Sequence, residues 1–198
     1  SDVAGGLADL PSGAVVGSSS LRRRAQLIHR RPDLVVVEFR GNVQTRLQKL
    51  RDGVAGATFL AMAGLNRLGL AHLARSAIEP DDMLPAVGQG AIGIERRAED
   101  ARVAALLAPI HHAQTGLRLA AERAMLRVLD GSCQTPIAGL ALVEDGQIRL
   151  RGEVLRPDGS EAIQLDGSAG FGDAMALGED LARRLLAAAP SGFFDWQR

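Results

Sequence analysis

The chain has 198 residues, and its 23 basic and 23 acidic side chains give a formal net charge of zero. This balance excludes a global field that would attract nucleic acid or an anionic membrane. An apolar content of 46% is that of a soluble globular protein, and the length suffices for one large or two small domains. We recognise no signal peptide and no apolar run that could span a bilayer, so we expect a cytoplasmic location.

The first half of the chain predicts strands that alternate with helices. We expect strands at 14–17, 34–39 and 57–61, and helices at 21–30, 43–51 and 64–78. The second strand is apolar enough to be buried on both faces, and the last helical region is interrupted near Gly69. This order predicts an α/β domain with a parallel sheet and right-handed crossovers, in which ligands bind at the carboxyl ends of the strands.

The pattern changes in the second half, and we place a domain boundary near residues 109–113. We expect a strand-like segment at 91–95, helices at 100–108, 113–129 and 173–188, and strands at 137–143, 147–155 and 161–165. Asp145-Gly146 is a hairpin signal between the first two strands of the last group. The second half therefore predicts a small α+β domain with a three-stranded antiparallel sheet and helices.

Arginines follow each of the three strands predicted in the first half. Arg22 and Arg23 lie in the first turn of a helix, where cations oppose the helix dipole, next to three serines and free backbone N–H groups. Since the βα junctions of a parallel sheet share one edge, these side chains are expected to converge on an anion with several carboxylates or phosphates. The arginines assigned to this edge are Arg22, Arg23, Arg40, Arg46 and Arg67. We interpret Arg24, Arg30, Arg31, Arg51 and Arg75 as surface residues.

No Gly-Lys-Ser/Thr phosphate loop is present, so a nucleotide ligand is not expected. The four histidines are interpreted as structural or solvated, because no cysteine or carboxylate spacing around them suggests a metal site. The sequence therefore predicts no metal.

Cys133 is the only cysteine, which excludes an intrachain disulfide and a multi-cysteine zinc site. It lies in a loop of small, turn-forming residues, 130–136, between a predicted helix and a predicted strand. A cysteine inside a regular element usually behaves as a small apolar side chain, whereas one on a Gly-Ser loop is better placed for chemistry. The loop alone leaves a functional and an incidental thiol both open.

Several stretches, taken in order, resemble one family. Residues 16–23 (VGSSSLRR) are similar to a V-G-[ST]-S-S-L-R-R segment of porphobilinogen deaminases, and residues 40–47 (RGNVQTRL) to their R-G-N-V-x-T-R-L segment. Residues 84–95 (LPAVGQGAIGIE) resemble L-P-A-V-G-Q-G-A-x-G-I-E, and 131–137 (GSCQTPI) resemble G-[GS]-C-x-x-P-[IL]. The resemblance covers essentially the whole chain.

The resemblance implies an enzyme that deaminates four porphobilinogen molecules and joins them head to tail into hydroxymethylbilane. It implies a dipyrromethane cofactor, held by a thioether to the cysteine that matches Cys133, and small polycarboxylate pyrroles as partners, with no nucleic acid or membrane. It further implies contacts to the cofactor from Ser20, Arg22, Arg23, Arg40, Gly41 and Arg46. Contacts to the substrate are implied for Ser18, Ser19, Arg67 and Gln89.

The same resemblance implies a domain order. Residues 1–84 match the second domain, which resembles a lobe of a type II periplasmic binding protein; 85–110 match the hinge and return segment of the first domain, and 111–198 match the third domain. Most of the first domain, with the family's catalytic aspartate, has no counterpart here, so no catalytic residue is assigned. We expect this fragment alone to be inactive, to lack the cofactor and to self-associate, whereas the full-length enzyme is expected to be a monomer.

Two departures from the family pattern lie near the expected anion site: Gly56 stands where the family has an acidic residue, and Asn66 replaces a lysine. Two other functions remain open from the residues. A non-catalytic anion-binding module of a transport or regulatory protein would explain the arginines. A thiol enzyme that uses Cys133 with a histidine base would explain the loop.

Overall fold

The computed structural model describes residues 1, 3–131 and 135–195. In chain order the elements are β1 (Val15–Gly17), α1 (Leu21–Arg30), β2 (Val35–Val37), α2 (Val43–Arg51), β3 (Ala57–Thr58), α3 (Met62–Arg67), α4 (Ala101–Leu107), α5 (Ala113–Val128), β4 (Ile137–Glu144), β5 (Gln147–Leu155), β6 (Ala162–Ala169) and α6 (Ala174–Ala188). Short 3₁₀ turns at Ala71–Leu73, Ala108–Ile110 and Phe171–Asp173 complete them.

The first half forms a parallel sheet with strand order β2-β1-β3, which confirms the predicted α/β class. Helix α1 begins after Ser20, whose side chain accepts a hydrogen bond from the Arg23 N–H at 3.3 Å. Helix α2 begins after Asn42, which caps the Thr45 N–H at 2.9 Å. Both caps satisfy an N–H group that the helix leaves free, and so they fix where each βα loop ends.

The second half is an antiparallel meander in the order β4-β5-β6, as predicted, with α5 and α6 packed on one face. The Met125 side chain fills the centre of this core. A Cβ atom on Gly139 or on Gly152 would lie 2.6 Å from the Met125 side chain. The two glycines are paired across β4 and β5, and their lack of a side chain allows α5 to pack close to the sheet. The Asp145-Gly146 turn has positive φ at both residues, +49° and +75°, as a type I′ hairpin requires.

Three predictions about individual elements are wrong. Residues 34–39 are not a strand buried on both faces, because β2 pairs only with β1 at the sheet edge and Val35 is 49% exposed. The segment 91–95 forms no strand, and Ile92 is 93% exposed. The helical region expected at 64–78 is wrong in its bounds, since its helix runs from Met62 to Arg67 and only the short turn Ala71–Leu73 follows, but the interruption predicted near Gly69 is confirmed. Gly69 at φ +68° closes its last turn, while the Leu70 N–H bonds to the Leu65 carbonyl at 2.8 Å.

The tip of the β5–β6 hairpin contacts α1, so the two halves of the chain touch through it. The Gly159 carbonyl lies 3.0 Å from His29 Nδ1, and Gly159 has φ +73°. A Cβ atom at Gly159 would lie 2.8 Å from the backbone nitrogen of His29 and 2.9 Å from the carbonyl oxygen of Ala25. Since both are backbone atoms of α1, a side chain at this position would push the hairpin away from the helix.

We expect Gly159→Ala to destabilise the protein by about 2–4 kcal/mol, because left-handed backbone strain and overpacking against α1 add together. Gly146→Ala is the matched control: it has the same positive φ, but nothing lies within 4 Å of its Cβ position, so about 1–2 kcal/mol is expected. Urea unfolding of both variants measures the difference. Equal losses would show that the hairpin tip is not packed on α1.

Candidate anion-binding site

A cavity of about 680 Å³ opens in the first half of the chain, beside the start of α1 and the end of β3. Its floor is apolar and includes Val16, Ala57 and Phe59. Its arginines come from three separate segments and are Arg22, Arg23, Arg51 and Arg75; His72 also lines it. An apolar floor with converging guanidinium groups suits an organic ligand that carries carboxylates.

The three serines of the β1–α1 loop shape its backbone. Ser18 is buried, and its hydroxyl accepts the Ser20 N–H at 3.3 Å. Ser19 is exposed, and its hydroxyl accepts the Phe39 N–H at 3.0 Å. The Ser18 hydroxyl also donates to the Ser20 carbonyl at 3.5 Å. Together with the Ser20 cap, these bonds hold the loop that presents the first turn of α1.

Arg22 is 8% exposed, and its Nη1 donates to the Leu84 carbonyl at 2.5 Å. Burial is the main reason that the pKa of Arg22 falls to about 10. The neighbouring Arg23 lowers it further, and Glu153 opposes the change. The guanidinium therefore remains charged at neutral pH while most of its surface is removed from water.

Arg23 is half-buried and lies over the Phe59 ring, 6.0 Å from its centroid. Its pKa is lowered by burial and then by the positive charge of Arg46. Arg46 is held at the start of α2, where its Nε donates to the Gly41 carbonyl at 2.9 Å. Two cations held within range of each other carry an electrostatic cost, and an anion between them would offset that cost.

The predicted residues divide into two groups. Arg22, Arg23 and Gln89 line the cavity, and Arg46 lies within electrostatic reach of Arg23. Arg40 pairs with Glu38 and is 81% exposed, while Arg67 is exposed at the end of α3; neither lines the cavity. Gly41 lies between Arg40 and α2 with φ +127°. Ligand contacts by all of these residues stay predictions.

Sequence reasoning missed several residues of the cavity wall and misplaced others. Arg51 and Arg75 are exposed, as expected of surface residues, and they also line the cavity; the Arg75 Nε donates to the Ser1 carbonyl at 2.7 Å. Arg30 was also assigned to the surface, yet it contacts the buried Glu153 carboxylate at 3.3 Å. Helical spacing predicts that Arg30 lies on the same face of α1 as Arg22, because it follows two turns later. No comparable pattern shows that residues 71–78 fold back to the sheet.

The buried carboxylate of Glu122 connects the segment around Gly88 and Gln89 to the second half of the chain. Glu122, in the middle of α5 and 4% exposed, accepts the Gly88 N–H at 2.6 Å and the Ala141 N–H at 2.8 Å. The Gly139 N–H bonds to the Pro85 carbonyl at 3.0 Å and strengthens the same attachment. Burial raises the pKa of Glu122, while the two N–H donors act in the opposite direction. One wall of the cavity is thus fixed to the helix that leads to the cysteine loop.

Cys133 lies outside the described residues, so its surroundings rest on the sequence alone. The described chain reaches the loop through Asp130, which has φ +50°, and leaves it through the buried Thr135. Within the described ranges, no group of three or more histidine, aspartate or glutamate side chains could hold a metal ion. None of the helices in the described part of the chain has the length and apolar character that crossing a bilayer requires.

A parallel-sheet half with an arginine-lined cavity, joined to an antiparallel half, defines a two-part α/β protein with a cationic cavity. Comparison with known proteins identifies the family to which the chain belongs. A family model described as "Porphobilinogen deaminase, dipyromethane cofactor binding domain" matches residues 2–105. A second, "Porphobilinogen deaminase, C-terminal domain", matches residues 117–187. The chain therefore belongs to the porphobilinogen deaminase family, as its motifs indicated.

Two curated relatives agree with this assignment. The porphobilinogen deaminase of Paracoccus denitrificans is 66% identical over 190 residues, which are 96% of this chain and 61% of the relative. The chloroplastic porphobilinogen deaminase of Pisum sativum is 50% identical over 196 residues, which are 97% of this chain and 53% of the relative. The chain thus spans between half and two thirds of the length of each of these relatives.

We expect Glu122→Ala to destabilise the protein by about 2–5 kcal/mol, because it leaves two N–H groups without their acceptor inside the structure. Glu122→Gln keeps one acceptor oxygen, and a smaller loss is expected. Glu179→Ala is the control, since that carboxylate makes only surface pairs with Arg127 and Arg183 and a change of under about 1 kcal/mol is expected. We call the two hydrogen bonds that Glu122 accepts the Glu122 clamp. Denaturant unfolding measures the stability of each variant, and equal losses of stability at positions 122 and 179 would contradict a role for this clamp.

Proposed function

We propose that this protein acts as a porphobilinogen deaminase. The reaction joins four porphobilinogen molecules head to tail, with loss of ammonia at each addition, and hydrolysis releases hydroxymethylbilane. When bound, dipyrromethane supplies the pyrrole carbon to which the first unit is joined. The observation that carries the proposal is the group of arginines at the β1–α1 junction, where Arg22 and Arg23 line the cavity and the positive charge of Arg46 lowers the pKa of Arg23.

The donor set fits the proposed ligand. Each pyrrole bears an acetate and a propionate, so a growing pyrrole chain gains two carboxylates with each addition. Arginine suits such a ligand better than lysine, because its guanidinium binds a carboxylate through two N–H groups and stays charged even when buried. Arg22 and Arg23 are partly desolvated already, which strengthens any ion pair that they form.

We assign roles to the residues as follows. Cys133 anchors the cofactor through a thioether and is not consumed in turnover. The residues proposed to bind the cofactor's carboxylates or pyrroles are Ser20, Arg22, Arg23, Arg40, Gly41 and Arg46. Those proposed to bind incoming substrate are Ser18, Ser19, Arg67 and Gln89. No residue of this chain is assigned as the catalytic acid or base. We further propose a cytoplasmic protein whose partners are small polycarboxylate pyrroles.

The test supplies the rest of the enzyme from a relative. Fusing this chain to the part of the Paracoccus denitrificans relative that lies outside the match is expected to give a protein that consumes porphobilinogen and yields uroporphyrin after acid oxidation. Its intact mass should exceed the sequence mass by one dipyrromethane. Cys133→Ser in the same fusion should lose both the added mass and turnover. A fully active Cys133→Ser fusion, or an active fusion of unmodified mass, would refute the anchor role.

Arginine substitutions in the same fusion test the anion site. Arg23→Gln and Arg46→Gln are each expected to lower kcat/KM by about 10- to 100-fold, which corresponds to about 1.5–3 kcal/mol for a lost charged hydrogen bond. Arg102→Gln is the matched control, because Arg102 is exposed on α4 and lies outside the cavity wall. Steady-state assays would contradict the assignment if all three variants kept wild-type kinetics.

A non-catalytic anion-binding module is the second candidate, since the arginine-lined cavity alone would serve it. Such a module would bind pyrrole carboxylates in the fusion without consuming porphobilinogen, and substitution of Cys133 would leave its binding unchanged. The same assays therefore distinguish the two functions.

A further inference from the structure

One face of α1 turns away from solvent and packs on the second half of the chain. Arg22, Gln26 and Arg30 follow one another at intervals of four residues and so lie on this face. Gln26 is fully buried, and its Nε2 donates to the Leu84 carbonyl at 3.0 Å, the same oxygen that accepts from Arg22. The helix that lines the cavity with its first turn is thus also the helix that contacts the meander.

The meander contributes a buried carboxylate to this contact. Glu153 lies in β5, its side chain is 3% exposed, and its Oε1 accepts from Arg30 Nη2 at 3.3 Å. The distance is long for a charged hydrogen bond, and the side chain of Arg30 is 28% exposed. Arg30 therefore compensates the buried charge only in part.

Two buried acceptor atoms in this region have no hydrogen-bond partner among the described residues. They are the Oε2 atom of Glu153 and the Oε1 atom of Gln26. A buried acceptor without a donor costs free energy, so the contact is short of at least one proton donor. A proton on Glu153 would supply a donor on the carboxyl group itself.

The negative charge of Glu153 acts on Arg22, which lines the cavity. The Arg22 guanidinium lies within its electrostatic reach, and the carboxylate opposes the fall in the pKa of Arg22. Burial raises the pKa of Glu153, while nearby cations act against the rise. The groups that face it are Arg22, His29 and Arg30 from α1, the uncharged Ala138 and Gln164 from the flanking strands, and, on β5 itself, Arg151, which pairs with Asp81.

We propose that Glu153 is a positioning residue for the anion site, a buried carboxylate that holds the charge of Arg22 partly neutralised and releases it for ligand binding when the carboxylate takes up a proton. The inference rests on the proposed anion-binding function of the cavity. It assigns to the third domain a direct effect on ligand affinity, separate from the cysteine that this domain carries.

The direction of the effect follows from the charges. While Glu153 is ionised, its negative charge weakens the attraction between Arg22 and an anion in the cavity. As the pH falls through the raised pKa of Glu153, the carboxyl group becomes neutral and the cavity becomes more positive. Anion affinity should therefore rise from pH 8 to pH 5, a range in which carboxylic acids of ordinary pKa remain ionised.

The experiment measures binding of pyrene-1,3,6,8-tetrasulfonate by fluorescence between pH 5 and pH 8, because sulfonates stay ionised over this range. Glu153→Gln removes the charge with little change in shape and adds an N–H donor. The control is Glu161→Gln, a carboxylate next to β6 that pairs with Arg156 at 3.1 Å and is 40% exposed. His72 also lines the cavity and is present in all three proteins, so differences among them come from the substituted carboxylates.

We expect Glu153→Gln to bind the probe about three- to tenfold more tightly than wild type at pH 7.5, the range for removing one partly screened charge. Wild type should approach the variant as the pH falls to 5.5, and Glu161→Gln should follow wild type throughout. In an Arg22→Gln background the effect of Glu153→Gln should fall below twofold, which a purely structural role would not produce. If Glu153→Gln folds poorly, Arg22→Gln alone still tests the proposal, because its loss of affinity relative to wild type should be larger at pH 5.5 than at pH 7.5.

Two results overturn the proposal, and they are distinguishable. If the probe binds wild type, Glu153→Gln and Glu161→Gln with the same affinity and the same pH profile, the cavity binds anions but Glu153 does not control it. If wild type fails to bind the probe at millimolar concentration at any pH, both the anion site and the role of Glu153 are refuted.

Discussion

The backbone carbonyl of Leu84 receives two donors from α1, the guanidinium of Arg22 and the side-chain amide of Gln26. This shared acceptor joins the first turns of the helix to the segment that leaves the first half of the chain. A few residues later the same segment is bound by the Glu122 carboxylate, which belongs to the long helix of the second half. The cavity wall and the meander are therefore connected through a short run of backbone, 84–88.

That connection helps to hold the arginines of the β1–α1 junction close to one another. Arg22 and Arg23 are neighbours in the chain, both are partly removed from water, and Arg46 adds a third positive charge nearby. Such an arrangement is unfavourable by itself and has to be supported by the surrounding structure. The serine loop, the Asn42 cap and the Leu84 carbonyl supply this support with hydrogen bonds to backbone groups.

Much of the fold could be predicted from the sequence because its signals are local. The caps at Ser20 and Asn42, the Asp145-Gly146 turn and the apolar periodicity of α5 each act over a few residues, and the elements that they define are confirmed. The failures involve partners that are distant in the chain. The segment 91–95 has strand-like composition but no strand beside it, and β2 lies at an edge, which its apolar run does not reveal.

The candidate site shows the same division. The βα topology predicted a convergence of five arginines, and of these Arg22 and Arg23, neighbours in the first turn of α1, line the cavity. It gave no indication of Arg51 or Arg75, which reach the cavity through the packing of whole segments. Glu153 was not singled out either. Polar and apolar residues alternate in the first part of β5, which predicts an outward-facing glutamate, but residues 152–155 are all buried and Glu153 contacts Arg30 of α1.

The Glu122 clamp has an asymmetry that affects how it tolerates sequence change. Both of its partners are main-chain N–H groups, of Gly88 and Ala141, so no side chain at those two positions takes part in it. Nearly every residue type would supply the same donor there, and only proline would remove it. The hydrogen bonds of the attachment therefore depend on one side chain, the carboxylate of α5, whereas Gly88, with φ +70°, and the fully buried Ala141 limit sequence change through backbone strain and packing.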